Sequence, residues 1–288
     1  MLRSILVALD GSESSMRASQ VALQLATQHG AHLEGLGIVS SEWIQRAELV
    51  PIGGTTIKAA ALDLSKLGTT RERVDRVLEE FTARAEAAGI SSHDIRAAEG
   101  NPLQLIARKA TASDLIAIGR KSIFDVEDEL YDLPVCVERI VREEPRPILL
   151  VPAKTSENEV ASRERSILVA FDGSPAASRT LHMFALLGLA RDSAVHVMTV
   201  ADESDDAMET AGRACELLAR HGTSHARAIG LGKREAGTPA ETILGLAKAL
   251  DVDVIVMGAY GHHGIQEIFG STTREVLNAC PTVLFLHH

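Results

Sequence analysis

Aromatic residues are scarce in this chain: one Trp, two Tyr and six Phe make up 3% of its 288 positions. A hydrophobic content of 45% must then be carried by Val, Ile, Leu and Ala, the composition of parallel sheets buried beneath helices. Cysteine is nearly absent too. Cys136, Cys215 and Cys280 lie far apart with no Cys-x-x-Cys spacing, which disfavours a disulfide framework or a zinc ribbon and favours reduced thiols. No apolar run approaches the ~20 residues of a membrane span, and the run at 5–9 is too short for a signal-peptide core. Positive charge is in deficit, 29 Lys and Arg against 39 Asp and Glu, a formal net charge of −10. That balance argues against nucleic acid or an anionic membrane as a partner. A cytoplasmic protein of two domains is the expectation.

What the chain does contain is a repeat. Arg-Ser-Ile-Leu-Val-Ala-Leu-Asp-Gly-Ser at 3–12 returns at 165–174, with Phe171 in place of Leu9 as the only change. Further echoes keep their order: Gly100-Asn101-Pro102 with Gly237-Thr238-Pro239, then 114–119 with 253–258, then 148–151 with 283–286. A search for such periodicity precedes any fold assignment. It divides the chain into a first copy at 1–152, a polar linker at 153–164, and a second copy at 165–288.

Within each copy short apolar strands alternate with helical patterns. Strands are expected at 5–9, 33–39, 95–98, 115–118 and 148–151, and again at 167–171, 195–200, 226–229, 254–257 and 283–286. Val74, Val77, Leu78, Phe81 and Ala85 have helical spacing. Asn101 followed by Pro102 reads as an N-cap and first turn. This is an α/β chain, with a parallel, helix-covered sheet in each half, and ligands on such sheets sit beyond the carboxyl ends of the strands. The first copy is longer by about 25 residues. The excess lies in 40–68, with Trp43, Ile44 and an apolar run at 57–67 that has helical character. Three readings stay open for this insertion: a packed excursion, a lid, or a partner-binding surface.

One stretch of the second copy carries a chemical pattern. Behind the strand at 254–256 come Met257-Gly258-Ala259-Tyr260-Gly261-His262-His263-Gly264, and later Gly270-Ser271-Thr272-Thr273 opening a helix. Glycine lets backbone amides approach a ligand closely, and hydroxyl-capped helix starts favour anions. The stretch reads as a phosphate cradle. At the same place the first copy loses its glycines after Gly119 and places five carboxylates in 125–132, so phosphates would meet like charge there. That half is read as a degenerate site.

Several catalytic patterns are missing. No Gly-x-x-x-x-Gly-Lys-Ser/Thr is present, Gly35-Leu36-Gly37 and Gly230-Leu231-Gly232 lack the third glycine of a dinucleotide fingerprint, and no Gly-x-Ser-x-Gly nucleophile occurs. Glu267 is the lone acid near the loop and reads as a surface residue. Adjacent His262 and His263 on an extended chain point to opposite sides and make a poor metal clamp; one of them can touch a phosphate. A holding site is expected, with slow hydrolysis at most.

Val-Ala-x-Asp-Gly-Ser, Gly-x-Pro-Ala-Glu (237–241) and Met-Gly-Ala-Tyr-Gly-His ending in Gly-Ser-Thr-Thr together resemble the universal stress protein family over nearly the whole chain. The insertion at 40–68 and the acidic loop fall outside the resemblance. It implies two tandem Rossmann-like domains, each a five-stranded parallel sheet with helices on both faces. It implies ATP, or a related adenine nucleotide, in the second copy. Ala170 and Asp172 would then lie beside adenine and ribose, Val200 would pack on the base, and Met257 and Gly258 would flank the nucleoside. Gly261, Gly270, Ser271 and Thr272 would hold the phosphates, with His262 adjoining them. Gly258-Ala259-Tyr260-Gly261 matches the family motif, but eight residues separate Gly261 from Gly270 where the family has nine. The loop can therefore also be read as collapsed and empty.

An ionised Asp172 is acceptor-only and suits an amine or a sugar hydroxyl; its other reading is a cap for the helix that starts at Ser174. Mg²⁺ would arrive with the phosphates. The resemblance also implies pairing of the last strands, 148–151 with 283–286, as an internal pseudo-dimer, and leaves open whether two chains associate. The expected function is a stress-response, ligand-sensing module acting on an unidentified protein partner. The alternatives are a slow ATPase and a nucleotide-free interaction module that uses 40–68.

Overall fold

The computed structural model describes residues 1–40, 56–124, 133–153, 165–259 and 271–288, with backbone alone for 56–66 and 271. The acidic stretch at 125–132, most of the linker, Trp43, Ile44 and the glycine loop at 260–270 lie outside the described residues. Contacts divide the chain into two compact units, Arg3–Ile140 and Met1–Leu2 with Val141–His288.

In the first unit β1 (Ser4–Leu9), α1 (Glu13–His29), β2 (His32–Val39), α2 (Thr56–Ala87), β3 (His93–Glu99), α3 (Pro102–Ala110) and β4 (Leu115–Gly119) alternate strictly. The strands run parallel in the order β3-β2-β1-β4. From Ile5 to Leu9 every β1 side chain is inaccessible to solvent, as a central parallel strand covered on both faces requires. Asn101 caps α3 as its sequence implies, accepting a hydrogen bond from Gln104 N at 2.9 Å. The helix expected around Val74–Ala85 and the apolar run at 57–67 form one continuous α2 of 32 residues.

The two Gly-Leu-Gly runs have a packing role. A Cβ on Gly37 would lie 2.6 Å from Val74 Cγ1 of α2, and one on Gly35 2.9 Å from Phe81 Cε1. Glycine here lets a helix lie close on the sheet.

α4 (Val135–Glu143) spans the division between the units. The second unit continues with β5 (Ile148–Val151), β6 (Arg165–Ala170), α5 (Pro175–Leu187), β7 (Ser193–Ala201), α6 (Ser204–Arg220), β8 (His225–Gly232), α7 (Pro239–Ala249), β9 (Val254–Gly258), α8 (Ser271–Ala279) and β10 (Val283–His287). Its strand order is β5-β10-β9-β6-β7-β8. The five strands from β6 to β10 are parallel; β5 runs antiparallel to β10 and pairs Leu149 with Phe285. The last strand of the first copy thus completes the edge of the second copy's sheet. Two of the few aromatics, Phe184 of α5 and Phe285 of β10, meet edge to face at 5.1 Å in the core.

The first strand of each copy is held in register by the same device. Asp114 accepts hydrogen bonds from Arg3 N at 2.7 Å and Ser4 N at 3.1 Å, and Asp253 accepts one from Ser166 N at 2.8 Å. No helix among the described residues is long and apolar enough to cross a membrane.

Candidate ligand cavity of the second copy

At β6 the strand order turns in two directions, to β7 on one side and to β9 on the other. Such a switch point opens a crevice beyond the carboxyl ends of the strands. A cavity of about 230 Å³ lies there. Ala170 of β6, Met198 and Val200 of β7, and Met257 of β9 supply apolar wall, with Pro239 and Ile243 from the start of α7. The polar lining is Asp172, Ser174, Thr272 and Thr273; no Lys or Arg is among the described lining residues. A cavity below the about 300–1,000 Å³ of usual small-molecule pockets suits a base and sugar rather than a whole triphosphate.

The turn between β6 and α5 is set by local bonds. Phe171 N donates to Met198 O at 2.9 Å, and Thr199 Oγ1 donates to Phe171 O at 2.7 Å. Asp172 Oδ1 accepts from Ser174 N at 2.9 Å, and Ser174 Oγ accepts from Ala177 N at 3.2 Å. Ser174 is therefore the N-cap of α5, and Asp172 makes the turn that leads into it. Oδ2 of Asp172 has no hydrogen-bond partner among the described residues, and the residue is exposed. The capping reading of Asp172 uses one oxygen and leaves the other for a ligand.

The opposite wall starts from a capping box. Thr238 Oγ1 accepts from Glu241 N at 3.2 Å, while Glu241 Oε2 accepts from Thr238 N at 2.9 Å. The Thr238 N–H holds the Glu241 carboxyl below its usual range. Gly258 closes the back: a Cβ there would come within 2.9 Å of Ala177 N and 3.1 Å of Ala176 C. The end of β9 can touch the start of α5 only without a side chain. Further back on the same face of β7, burial and then the charge of Arg227 push His196 below its ordinary value, so it stays neutral near pH 7.

Of the residues singled out from sequence, Ala170, Asp172, Val200, Met257, Gly258 and Thr272 line this one cavity. Ser271 opens α8 at its rim. Gly261, His262 and Gly270 lie outside the described residues. Sequence reasoning missed Met198, Ala176, Ala177 and Ile243. Met198 was within reach of it, since strand period two puts it on the face of Val200. Ile243 was not, because it depends on how α7 approaches the sheet. Among the described residues no three His, Cys, Asp or Glu side chains are grouped to hold a metal ion.

The first copy treats the same position differently. Asp10 is 1% exposed; its Oδ1 accepts from Ser12 N at 3.1 Å and Ser12 Oγ at 2.8 Å, and its Oδ2 accepts from Ile123 N. Lys121 N donates to Ser14 Oγ at 3.2 Å. Gly119 repeats the role of Gly258, since its Cβ would lie 2.5 Å from Ser14 C and from Ser15 N.

Helix-covered parallel sheets with a ligand-sized crevice at the switch point of the second define a tandem pair of Rossmann-like α/β domains. The sequence pattern of the universal stress protein family matches residues 1–152 and again 164–286, and the chain belongs to that family. A universal stress protein from Archaeoglobus fulgidus DSM 4304 superposes with a TM-score of 0.72 at 19% identity, covering 99% of this chain and 95% of that one. A putative universal stress protein from Pseudomonas aeruginosa UCBPP-PA14 gives 0.53 at 19% identity, covering 99% and 93%. A functionally unknown protein from Pseudomonas aeruginosa PAO1 gives 0.55 at 19%, covering 99% and 92%. At such identity these likenesses speak for the fold. No curated protein matches the chain.

Proposed function

We propose that the second copy holds an adenine nucleotide, ATP, and that the protein is a ligand-sensing module of the stress response rather than an enzyme. The observation that carries this reading is the crevice itself. Apolar strand ends flank a carboxylate with one oxygen unpartnered among the described residues, and the first turn of α8 stands at the rim. Met198, Val200 and Ile243 offer a surface for a flat base. Asp172 Oδ2 accepts from an amine or a sugar hydroxyl. With no Lys or Arg in the described lining, the phosphates would depend on backbone amides of α8, whose N-terminal end favours anions. The roles of Gly261, His262 and Gly270 in that cradle rest on the sequence.

Residues and ligand fit at the nucleoside end, where the polar demand of adenosine meets a single acceptor. Mg²⁺ would be held chiefly by the phosphates. Asp172 is the only ionisable side chain in the described lining, and it already serves the turn, which favours holding over hydrolysis. In this reading the protein is cytoplasmic, the internal pairing of the last strands replaces a second subunit, and loading alters contacts with a partner protein through differential affinity.

Mass analysis of ligand released from the purified, denatured chain should find an adenine nucleotide, intact after prolonged incubation with Mg²⁺. Asp172→Asn should weaken ATP binding on the order of tenfold with little change in Tm. An empty protein that also shows no heat on titration with ATP would end the proposal.

A further inference from the structure

We propose that the first copy supplies its own ligand: residues 119–124, directly after β4, take the hydrogen-bonding place that the second copy leaves to the nucleotide. The inference rests on the function proposed above only for what the segment replaces. Asp10 and Asp172 occupy the same position in the repeat, yet one is buried and the other exposed. The difference lies in their partners. The oxygen that has no partner among the described residues in Asp172 is the one that, in Asp10, accepts the Ile123 N–H. A buried carboxylate is costly unless it is hydrogen-bonded, and Asp10 has three donors, two from Ser12 and one from Ile123.

A second anchor works beside it. Ser14 Oγ accepts from Lys121 N at 3.2 Å, and the repeat puts Ala176, with no acceptor in its side chain, at that place in the second copy. A turn follows, with Ser122 N donating to Gly119 O at 3.1 Å, and it sets Ser122 and Phe124 in the interior at 0% and 3% exposure. Ile123 thus gives Asp10 the N–H donor that a ligand would have to give Asp172.

The consequences are stoichiometric. A nucleotide that took this place in the first copy would have to break the Ile123–Asp10 bond, leaving a buried acceptor unmet. The chain therefore takes one nucleotide, in the second copy, while the first copy keeps Asp10 paired by its own backbone.

Residue-resolved hydrogen exchange on the full chain, with and without saturating ATP, tests this alongside calorimetric stoichiometry. The amides of Ile123 and Lys121 should exchange slowly without nucleotide and be unchanged by it, with one ATP bound per chain. Asp10→Asn should accelerate exchange at Ile123 on the order of tenfold or more. The milder Ser14→Ala should accelerate Lys121, and neither should alter ATP affinity. Unprotected exchange at Ile123 in the native chain, a change of protection at 119–124 on adding ATP, or two nucleotides per chain would overturn the proposal. If no nucleotide binds at all, the function proposed above falls, and the exchange pattern of the native chain and the Ser14→Ala variant still decides the internal ligand by itself.

Discussion

Asp10 and Asp172 are one residue of the repeat in two chemical states, and what separates them is the supply of donors rather than the carboxylate. In the first copy the chain brings an amide to the second oxygen; in the second copy nothing described does. A different acid shows the cost of burial without such care. Glu144 is 7% exposed and among the described residues accepts only Arg146 N, at 3.3 Å, and burial pushes its pKa above the usual carboxylate range. Its folded pKa then exceeds its unfolded one. The stability it contributes is complete below the unfolded value and is lost as pH rises through the folded one. Glu144→Gln keeps an acceptor for Arg146 N and removes the buried charge. It should raise Tm at pH 7 by a few degrees, and the gain should vanish as the pH falls into the ordinary carboxylate range. A gain that persists in acid, or a loss at neutral pH, would show that the charge is not what burial penalises here.

Between elements, the tightest join near the site is β9 against the start of α5. Gly258→Ala would drive a Cβ to 2.9 Å from backbone nitrogen, and backbone cannot swing aside as a side chain can. Destabilisation of about 1–3 kcal/mol, read by denaturant unfolding, should accompany weaker nucleotide binding; an unperturbed variant would mean that the two elements part easily.

Local features of this kind were partly legible beforehand. The Asn101-Pro102 cap, the strand periods and the Asp-Gly-Ser turn act within a few residues, so the sequence displays them. The Gly-Leu-Gly runs showed in the sequence only what they are not, an incomplete dinucleotide fingerprint. Their function is the contact of Gly35 and Gly37 with α2 and of Gly230 with Met208 N of α6, at 2.4 Å from a built Cβ. Asp114 and Asp253 stood in plain view in the echoed segments, yet their grip on Arg3, Ser4 and Ser166 needs a pairing over more than 80 residues. The bond from Ile123 N to Asp10 was illegible for the same reason. Acidic residues beyond Gly119 suggested exclusion by charge and lie outside the described residues; the described contacts add Ile123 and Lys121 anchored on Asp10 and Ser14.

At the scale of the whole chain, the two halves are domains of one family whose equivalent carboxylates, Asp10 and Asp172, differ in burial. The family pattern matches both halves, and the fold of each half follows from the same strand and cap signals. The site does not, since it turns on side chains that the copies do not share, Ser14 against Ala176 above all. The boundary has a physical consequence as well. β5 pairs with β10, covering Leu284, Phe285 and Leu286. A fragment of residues 165–288 lacks β5 and exposes an apolar strand edge, which invites pairing with a second molecule. By size-exclusion chromatography it should self-associate at concentrations where the full chain does not; a monomeric fragment would mean that β5 is dispensable.

The central claim, one nucleotide held in the second copy, is tested most directly by calorimetric titration of ATP into the full chain stripped of co-purified ligand. One equivalent per chain is predicted, abolished by Gly261→Glu and retained in Ser14→Ala. No binding, two equivalents, or unchanged affinity in Gly261→Glu would contradict the account.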